Sequence, residues 1–239
     1  MVDAKLTHEE QMMARAINNA TKARPRCMPN PWVGAVLVSS DGQVFDGFTQ
    51  EFGGEHAETV CLNEAGEKAQ GATLFVTLEP CSHIGKTGPC VERIIESRIS
   101  RVVIGMKDPD YQVYGEGIKS LQNAGIDVVV GVLETLVSDQ LAPYVHHRKT
   151  GRPYVVLKIA TTLDGKVAAP DGSSQWITGP EARREGHKLR AYSDAICVGK
   201  GTVISDNPQL TVRDWMPDDG IHQNLDPRRV VLGKVPTEA

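Results

Sequence analysis

Between residues 72 and 141 the chain alternates three times between short apolar runs and segments of helical spacing. Residues 72–78, 101–106 and 126–132 are rich in β-branched side chains and read as strands. Residues 90–97, 117–124 and 134–141 read as helices, the second of them stopping at Gly125. Neighbouring parallel strands need a long crossover, usually a helix, between them. The alternation therefore predicts α/β layers around a largely parallel sheet.

Upstream, Thr7 and Glu10 form a T-x-x-E capping box, and Met12, Met13, Ala16, Ile17 and Ala20 follow on one helical face. Pro25, Pro29 and Pro31 end that pattern. A β-rich run at 33–39 turns at Asp41-Gly42 into a second strand at 44–48. After the Gly53-Gly54 loop a helix is predicted over 56–65, stopping at Gly66. Residues 142–153 hold Pro143, His146, His147, Arg148, Lys149, Gly151 and Pro153 with few apolar positions, and read as a domain linker. Strands are expected beyond it at 154–160 and 229–232. Formal charge shifts across this point, from −5 over residues 1–150 to +1 over 151–239.

Composition excludes several classes. Hydrophobic residues are 40% of 239, enough to bury a core, and the net charge of −4 does not suit a strongly basic nucleic-acid binder. No apolar run reaches the roughly 18 residues of a membrane span. Residues 1–10 carry acids and no apolar signal core. Five cysteines at uneven spacing argue against a disulfide framework and for a reducing, cytoplasmic setting.

The chemistry-bearing residues are His56-Ala57-Glu58, then Pro80-Cys81, then Cys90. Each group opens a predicted helix or follows a strand. Catalytic zinc takes three His or Cys ligands and leaves one position for water, and His56, Cys81 and Cys90 supply that set. Glu58, in the first turn of its helix, is placed to move a proton from water to a leaving amine. H-x-E with P-C-x-x-C is the known signature of zinc deaminases; the cysteine spacing here is C-x8-C. Two other readings use the same residues: a structural zinc with His83 as fourth ligand, or two buried core cysteines.

The run Leu78-Glu79-Pro80-Cys81-Ser82-His83 through Gly85-Lys86-Thr87 to Cys90, and Pro29-Asn30-Pro31-x-Val33-Gly34 before it, resemble the bifunctional deaminase–reductase family of riboflavin biosynthesis. In the second half Lys158-x-Ala160-x-x-Leu163-Asp164-Gly165, Ser174-Gln175-Trp176-Ile177-Thr178 and Thr202-Val203 through Asp206-x-Pro208-x-Leu210-Thr211-Val212-Arg213 resemble its reductase domain. The long loop between the cysteines separates this family from cytidine and tRNA-adenosine deaminases, the competing reading.

The resemblance implies a cytidine-deaminase-like three-layer α/β/α zinc domain over 1–145, a linker at 146–153, and part of a dihydrofolate-reductase-like, NADP-binding domain over 154–239. It implies deamination of a phosphorylated diaminopyrimidinone at one Zn²⁺ per chain, then NADPH-dependent reduction of its ribosyl group. His56, Cys81 and Cys90 become metal ligands and Glu58 the proton shuttle. Asn30, His83 and Lys86 become deaminase substrate contacts; Ser174, Arg190, Leu210 and Arg213 become reductase substrate contacts. Ala160, Trp176, Thr202 and Asp206 become NADP contacts. The expected partner is a small phosphorylated pyrimidine, with no nucleic acid and no membrane, and the expected assembly is a homo-oligomer. Thr49 stands where the family commonly has a histidine, and Gly88 where it has a proline. Cys27, Cys61 and Cys197 match no ligand position and read as small core residues. The family's reductase domain continues past the point where this chain stops, at Ala239, so a fragment is expected.

Overall fold

The computed structural model describes residues 6–83, 88–111, 113–217 and 225–234. Their packing separates one unit ending at Tyr154 from a second beginning at Val155.

The first unit opens with α1 (His8–Ala23), whose capping box at Thr7 and Glu10 is formed as expected. β1 (Gly34–Val38) and β2 (Val44–Phe48) pair antiparallel across the Asp41-Gly42 turn. α2 (Ala57–Ala65), β3 (Thr73–Leu78), α3 (Cys90–Glu96), β4 (Arg101–Met106), α4 (Glu116–Asn123), β5 (Asp127–Val130) and α5 (Glu134–Gln140) follow. The sheet order is β2-β1-β3-β4-β5. β3, β4 and β5 run parallel, as the alternation predicts, but β1 is antiparallel to β3 as well as to β2. The sheet is therefore mixed. The hairpin at its edge reverses direction with a tight turn, which needs no helical crossover.

Helices cover both faces. α1 and α5 pack together on one, and α2, α3 and α4 follow one another on the other. Met13, Leu37, Leu74, Val76, Val102, Ile104, Leu121 and Val137 are fully buried between the layers. Each such side chain contributes about 1.5–3 kcal/mol by leaving water. Two glycines set the spacing. A Cβ on Gly34 would lie 1.9 Å from the Ala16 carbonyl, and one on Gly47 would lie 2.2 Å from that of Ala57. α1 and α2 thus sit directly on strand backbone, one on each side.

Residues 142–150, read as the start of a linker, form a helix instead, α6 (Ala142–Thr150). The signals that suggested a linker are its end signals. Pro143 occupies the first turn, the basic His147, Arg148 and Lys149 face the negative end of the helix dipole, and Gly151 is a left-handed cap at φ 66°. α6 is also anchored. The Tyr144 hydroxyl donates to both oxygens of the Asp108 carboxylate, and Arg148 pairs with Asp110 at 3.3 Å.

The second unit contains α7 (Pro180–Ala191), β6 (Ala195–Gly199), α8 (Lys200–Asp206) and β7 (Arg228–Leu232). β6 and β7 pair in parallel. The strand expected at 154–160 is not formed among the described residues, and Val155 and Leu157 are 84% and 80% exposed. An apolar β-branched run becomes a strand only where another edge takes its backbone N–H and C=O groups. Cys197 is exposed rather than a core residue, because strand alternation turns it away from Ile196 and Val198. Cys27 and Cys61 are fully buried as expected. Among the described residues, no helix is long and apolar enough to cross a membrane.

Candidate functional site

The first unit gathers its reactive groups at the carboxyl end of the parallel strands, where α/β sheets open a crevice. β3 ends at Leu78, and Glu79 extends the ladder by donating its N–H to the Met106 carbonyl at 3.0 Å. Cys81 comes two residues later. His56 is the N-cap of α2, and Cys90 is the first residue of α3. The Cys90 N–H donates to the Cys81 sulfur at 3.4 Å, so one ligand candidate caps the helix that carries the other.

His56 Nδ1 lies 3.2 Å from Cys90 Sγ and 3.6 Å from Cys81 Sγ. Zinc bound tetrahedrally to sulfur at about 2.3 Å and nitrogen at about 2.0 Å sets such donors roughly 3.5 Å apart. The three ligand atoms all lie within 4.8 Å of one another, and they are the one His/Cys/Asp/Glu cluster of this kind among the described residues. His83 is exposed and outside it, so the four-ligand structural reading is not met. Electrostatics agree with the geometry. The hydrogen bond from Cys90, with help from His56, pulls the Cys81 thiol down to about 4, while the same contact and burial push Cys90 well up. Two thiols this close favour losing one proton, and a divalent cation takes the place of the other.

Glu58 is 4% exposed in the first turn of α2, close enough to Cys90 to help raise its thiol pKa. Burial raises its pKa, partly opposed by His56. The Cys81 contact raises His56 against its own burial. A carboxyl group so placed is suited to both accepting and returning a proton.

The loop after β4 supports this centre from below. Glu79, 3% exposed, accepts backbone N–H groups of Asp108, Gly115 and Ile118 at 3.3, 3.0 and 3.2 Å. A Cβ on Gly117 would lie 2.2 Å from the Pro80 carbonyl, one residue before Cys81. Gly117→Ala is therefore expected to push the Cys81 segment aside. Stability should fall by about 1–3 kcal/mol, and zinc affinity about tenfold, at the lower end of second-shell losses. Thermal melts and chelator competition read the two effects separately.

The other deaminase candidates are more dispersed. Asn30 is half-buried after α1, with its N–H on the Cys27 carbonyl at 2.8 Å. Lys86 lies outside the described residues. Thr49 is buried with its hydroxyl against the Val33 backbone, which explains a structural role for it.

In the second unit, Arg190, Leu210 and Arg213 come together. Arg190 Nη1 donates to the Thr211 carbonyl at 3.1 Å, and Arg213 Nη1 donates to Gln209 Oε1 and Thr211 Oγ1 at 2.8 and 2.9 Å. Leu210, 7% exposed, sits in that loop at φ 56°. His187 joins them and was not visible as a candidate, although it stands three residues before Arg190 on one helix face. Ser174 lies on an exposed segment before α7. Trp176 is 71% exposed, with the Arg183 guanidinium 4.4 Å from its ring centre. Thr202 and Asp206 lie one turn apart on α8. Ala160 is half-buried in the segment before α7.

The mixed sheet, the His/Cys/Cys cluster and the buried H-x-E glutamate define a zinc deaminase domain. Residues 6–106 match the cytidine and deoxycytidylate deaminase zinc-binding region, and residues 153–238 match the RibD C-terminal domain. The riboflavin biosynthesis protein RibD of Escherichia coli K12 is 45% identical over 92% of this chain and 60% of its own length. That of Mycobacterium tuberculosis H37Rv is 44% identical over 96% of this chain and 68% of its own. The fold superposes on Acinetobacter baumannii RibD with a TM-score of 0.86 at 40% identity, covering 95% of this chain and 65% of that one. It superposes equally on a Thermotoga maritima diaminohydroxyphosphoribosylaminopyrimidine deaminase/5-amino-6-(5-phosphoribosylamino)uracil reductase, with a TM-score of 0.85 at 44% identity, covering 95% and 63%. The chain belongs to the RibD family. It spans about three fifths of the E. coli relative's length.

Proposed function

We propose that the first unit catalyses the deamination step of riboflavin biosynthesis. The substrate is 2,5-diamino-6-ribosylamino-4(3H)-pyrimidinone 5′-phosphate, and the products are 5-amino-6-ribosylaminouracil 5′-phosphate and ammonia. The observation that carries this is the buried Glu58 beside His56, Cys81 and Cys90, in a chain whose two parts both match RibD. Those three residues would hold zinc, which when bound supplies a Lewis acid that makes water nucleophilic at neutral pH. Glu58 accepts a proton from the attacking water at a carboxylate oxygen. It returns that proton to the departing 2-amino nitrogen as the carbon–nitrogen bond breaks. The α2 and α3 first turns favour negative charge, which supports the thiolates. Asn30, His83 and Lys86 are assigned to the substrate, Lys86 to its phosphate as a point charge.

To the second unit we assign the reductase part, acting with NADPH on the ribosyl group. Ser174, Arg190, Leu210 and Arg213 are its substrate contacts, and Ala160, Trp176, Thr202 and Asp206 its NADP contacts. Two guanidiniums with no carboxylate in ion-pair range among the described residues suit a phosphate. We place the protein in the cytoplasm, on its five free thiols, and as a homo-oligomer.

Substrate choice tests the reading. Zinc-loaded protein should turn over the diaminopyrimidinone phosphate in preference to cytidine nucleotides or tRNA adenosine. The reverse order in a competition assay would replace it with a nucleotide or tRNA deaminase.

A further inference from the structure

Arg190 and Arg213 pose an electrostatic problem. After burial, the nearness of Arg213 is what lowers the Arg190 pKa, so the two cations repel. Something must hold them in place before any anion arrives. His187, on α7 one turn before Arg190, is 7% exposed. Its Nδ1 lies 3.3 Å from Arg190 Nη1 and 3.0 Å from the Arg213 backbone nitrogen. Both partners can only donate, so Nδ1 carries the lone pair and the ring proton sits on Nε2.

We infer that His187 is a positioning residue of the second unit. Through one neutral ring nitrogen it holds the Arg190 guanidinium and the Arg213 backbone, and so presents two cationic forks to the phosphate of the substrate. The inference rests on the reading of Arg190 and Arg213 as substrate contacts. The surroundings favour a neutral ring. Burial and the charges of Arg190 and Arg213 lower the His187 pKa, and they outweigh the opposing effects of Asp214 and the Thr211 backbone. A protonated ring would lose both bonds and add a third positive charge to the cluster. The geometry also explains why the loop from Gln209 to Arg213 tolerates Leu210 at positive φ: Arg190 holds the Thr211 carbonyl on one side, and His187 holds the Arg213 N–H on the other.

The test uses the full 239-residue chain with 5-amino-6-ribosylaminouracil 5′-phosphate as probe. Affinity is read by calorimetry and folding by amide NMR dispersion. His187→Leu removes the acceptor and should weaken binding about tenfold, the loss of one charge-assisted hydrogen bond. His187→Asn places Oδ1 where Nδ1 was and should bind within about twofold of the unaltered protein, because it keeps the acceptor. Where His187→Leu does not fold, His187→Gln, whose oxygen reaches one bond too far, should show the same loss. A purely structural histidine would lower the melting temperature without this Leu–Asn split in affinity. If Arg190→Gln and Arg213→Gln weaken binding while His187→Leu does not, or if the Asn variant is as weak as the Leu variant, the inference is overturned. If the arginine variants bind as tightly as the unaltered protein, or the unaltered protein does not bind the probe, the substrate-contact reading fails and takes the inference with it.

Discussion

Glu58→Gln is expected to lower the deamination rate by about 10²–10⁴-fold, the usual contribution of a positioned general acid–base. Glutamine has the shape of glutamate but cannot take a proton from water and return it to the amine. The change should leave zinc content unaltered, because Glu58 is not one of the three clustered ligand atoms. Folding should not suffer either. Glu58 is 4% exposed, and its burial raises the pKa from the ordinary 4.5, so ionising it costs stability. The sign follows from linkage. A raised carboxyl group contributes most below its unfolded value, and that contribution is lost as pH rises through the folded one. Melting curves of the Gln variant should therefore be flatter with pH above 4.5 than those of the unaltered protein. Parallel kinetics, zinc analysis and melts separate a lost proton shuttle from a damaged fold.

The second large effect is expected at Cys90. Cys90→Ser replaces a soft thiolate donor with a hydroxyl that does not ionise near neutral pH, and so removes one of the two charges that balance Zn²⁺. Loss of even a supporting contact to a metal ligand costs about 10–100-fold in affinity, so loss of the ligand itself should exceed about 100-fold. Chelator competition measures this. Cys27→Ala is the control. Cys27 is as buried as Cys90, with its thiol pushed up to about 12 by burial, and it touches the Asn30 carbonyl rather than the cluster. If Cys27→Ala and Cys90→Ser lowered zinc affinity alike, the two would be core cysteines and the centre would lie elsewhere. Deamination by Cys90→Ser should fall together with its zinc content, whereas Glu58→Gln should lose rate at full zinc occupancy.

Much of the first unit is legible in the chain because its signals are local. The Thr7–Glu10 capping box, the Asp41-Gly42 turn and the three strand–helix alternations each act within a few residues, and each recurs in the fold. His56, Cys81 and Cys90 were legible for a related reason. Each begins a helix or follows a strand end, and parallel strands bring such points to one edge. What escaped depended on distant partners or on ambiguous end signals. Residues 142–150 combine proline, glycine and basic residues that fit a linker and a short capped helix equally. Tyr144 on Asp108 and Arg148 on Asp110 decide for the helix, and both contacts span more than thirty residues of sequence. The apolar run at 154–160 has strand composition, but composition supplies no pairing edge. His187 has no motif around it. Its role depends on Arg213, far along the chain, turning its N–H toward Nδ1.

The central claim is that the His56, Cys81, Cys90 and Glu58 centre replaces an amino group by oxygen from water. Running the zinc-loaded protein on the diaminopyrimidinone phosphate in ¹⁸O-enriched water tests it most directly. The expected result is one ammonia released per aminouracil formed, with one ¹⁸O at the former amino carbon, and neither product from Glu58→Gln above about one hundredth of the unaltered rate. Ammonia without ¹⁸O in the product, or no ammonia at all from folded zinc-loaded protein, would contradict it.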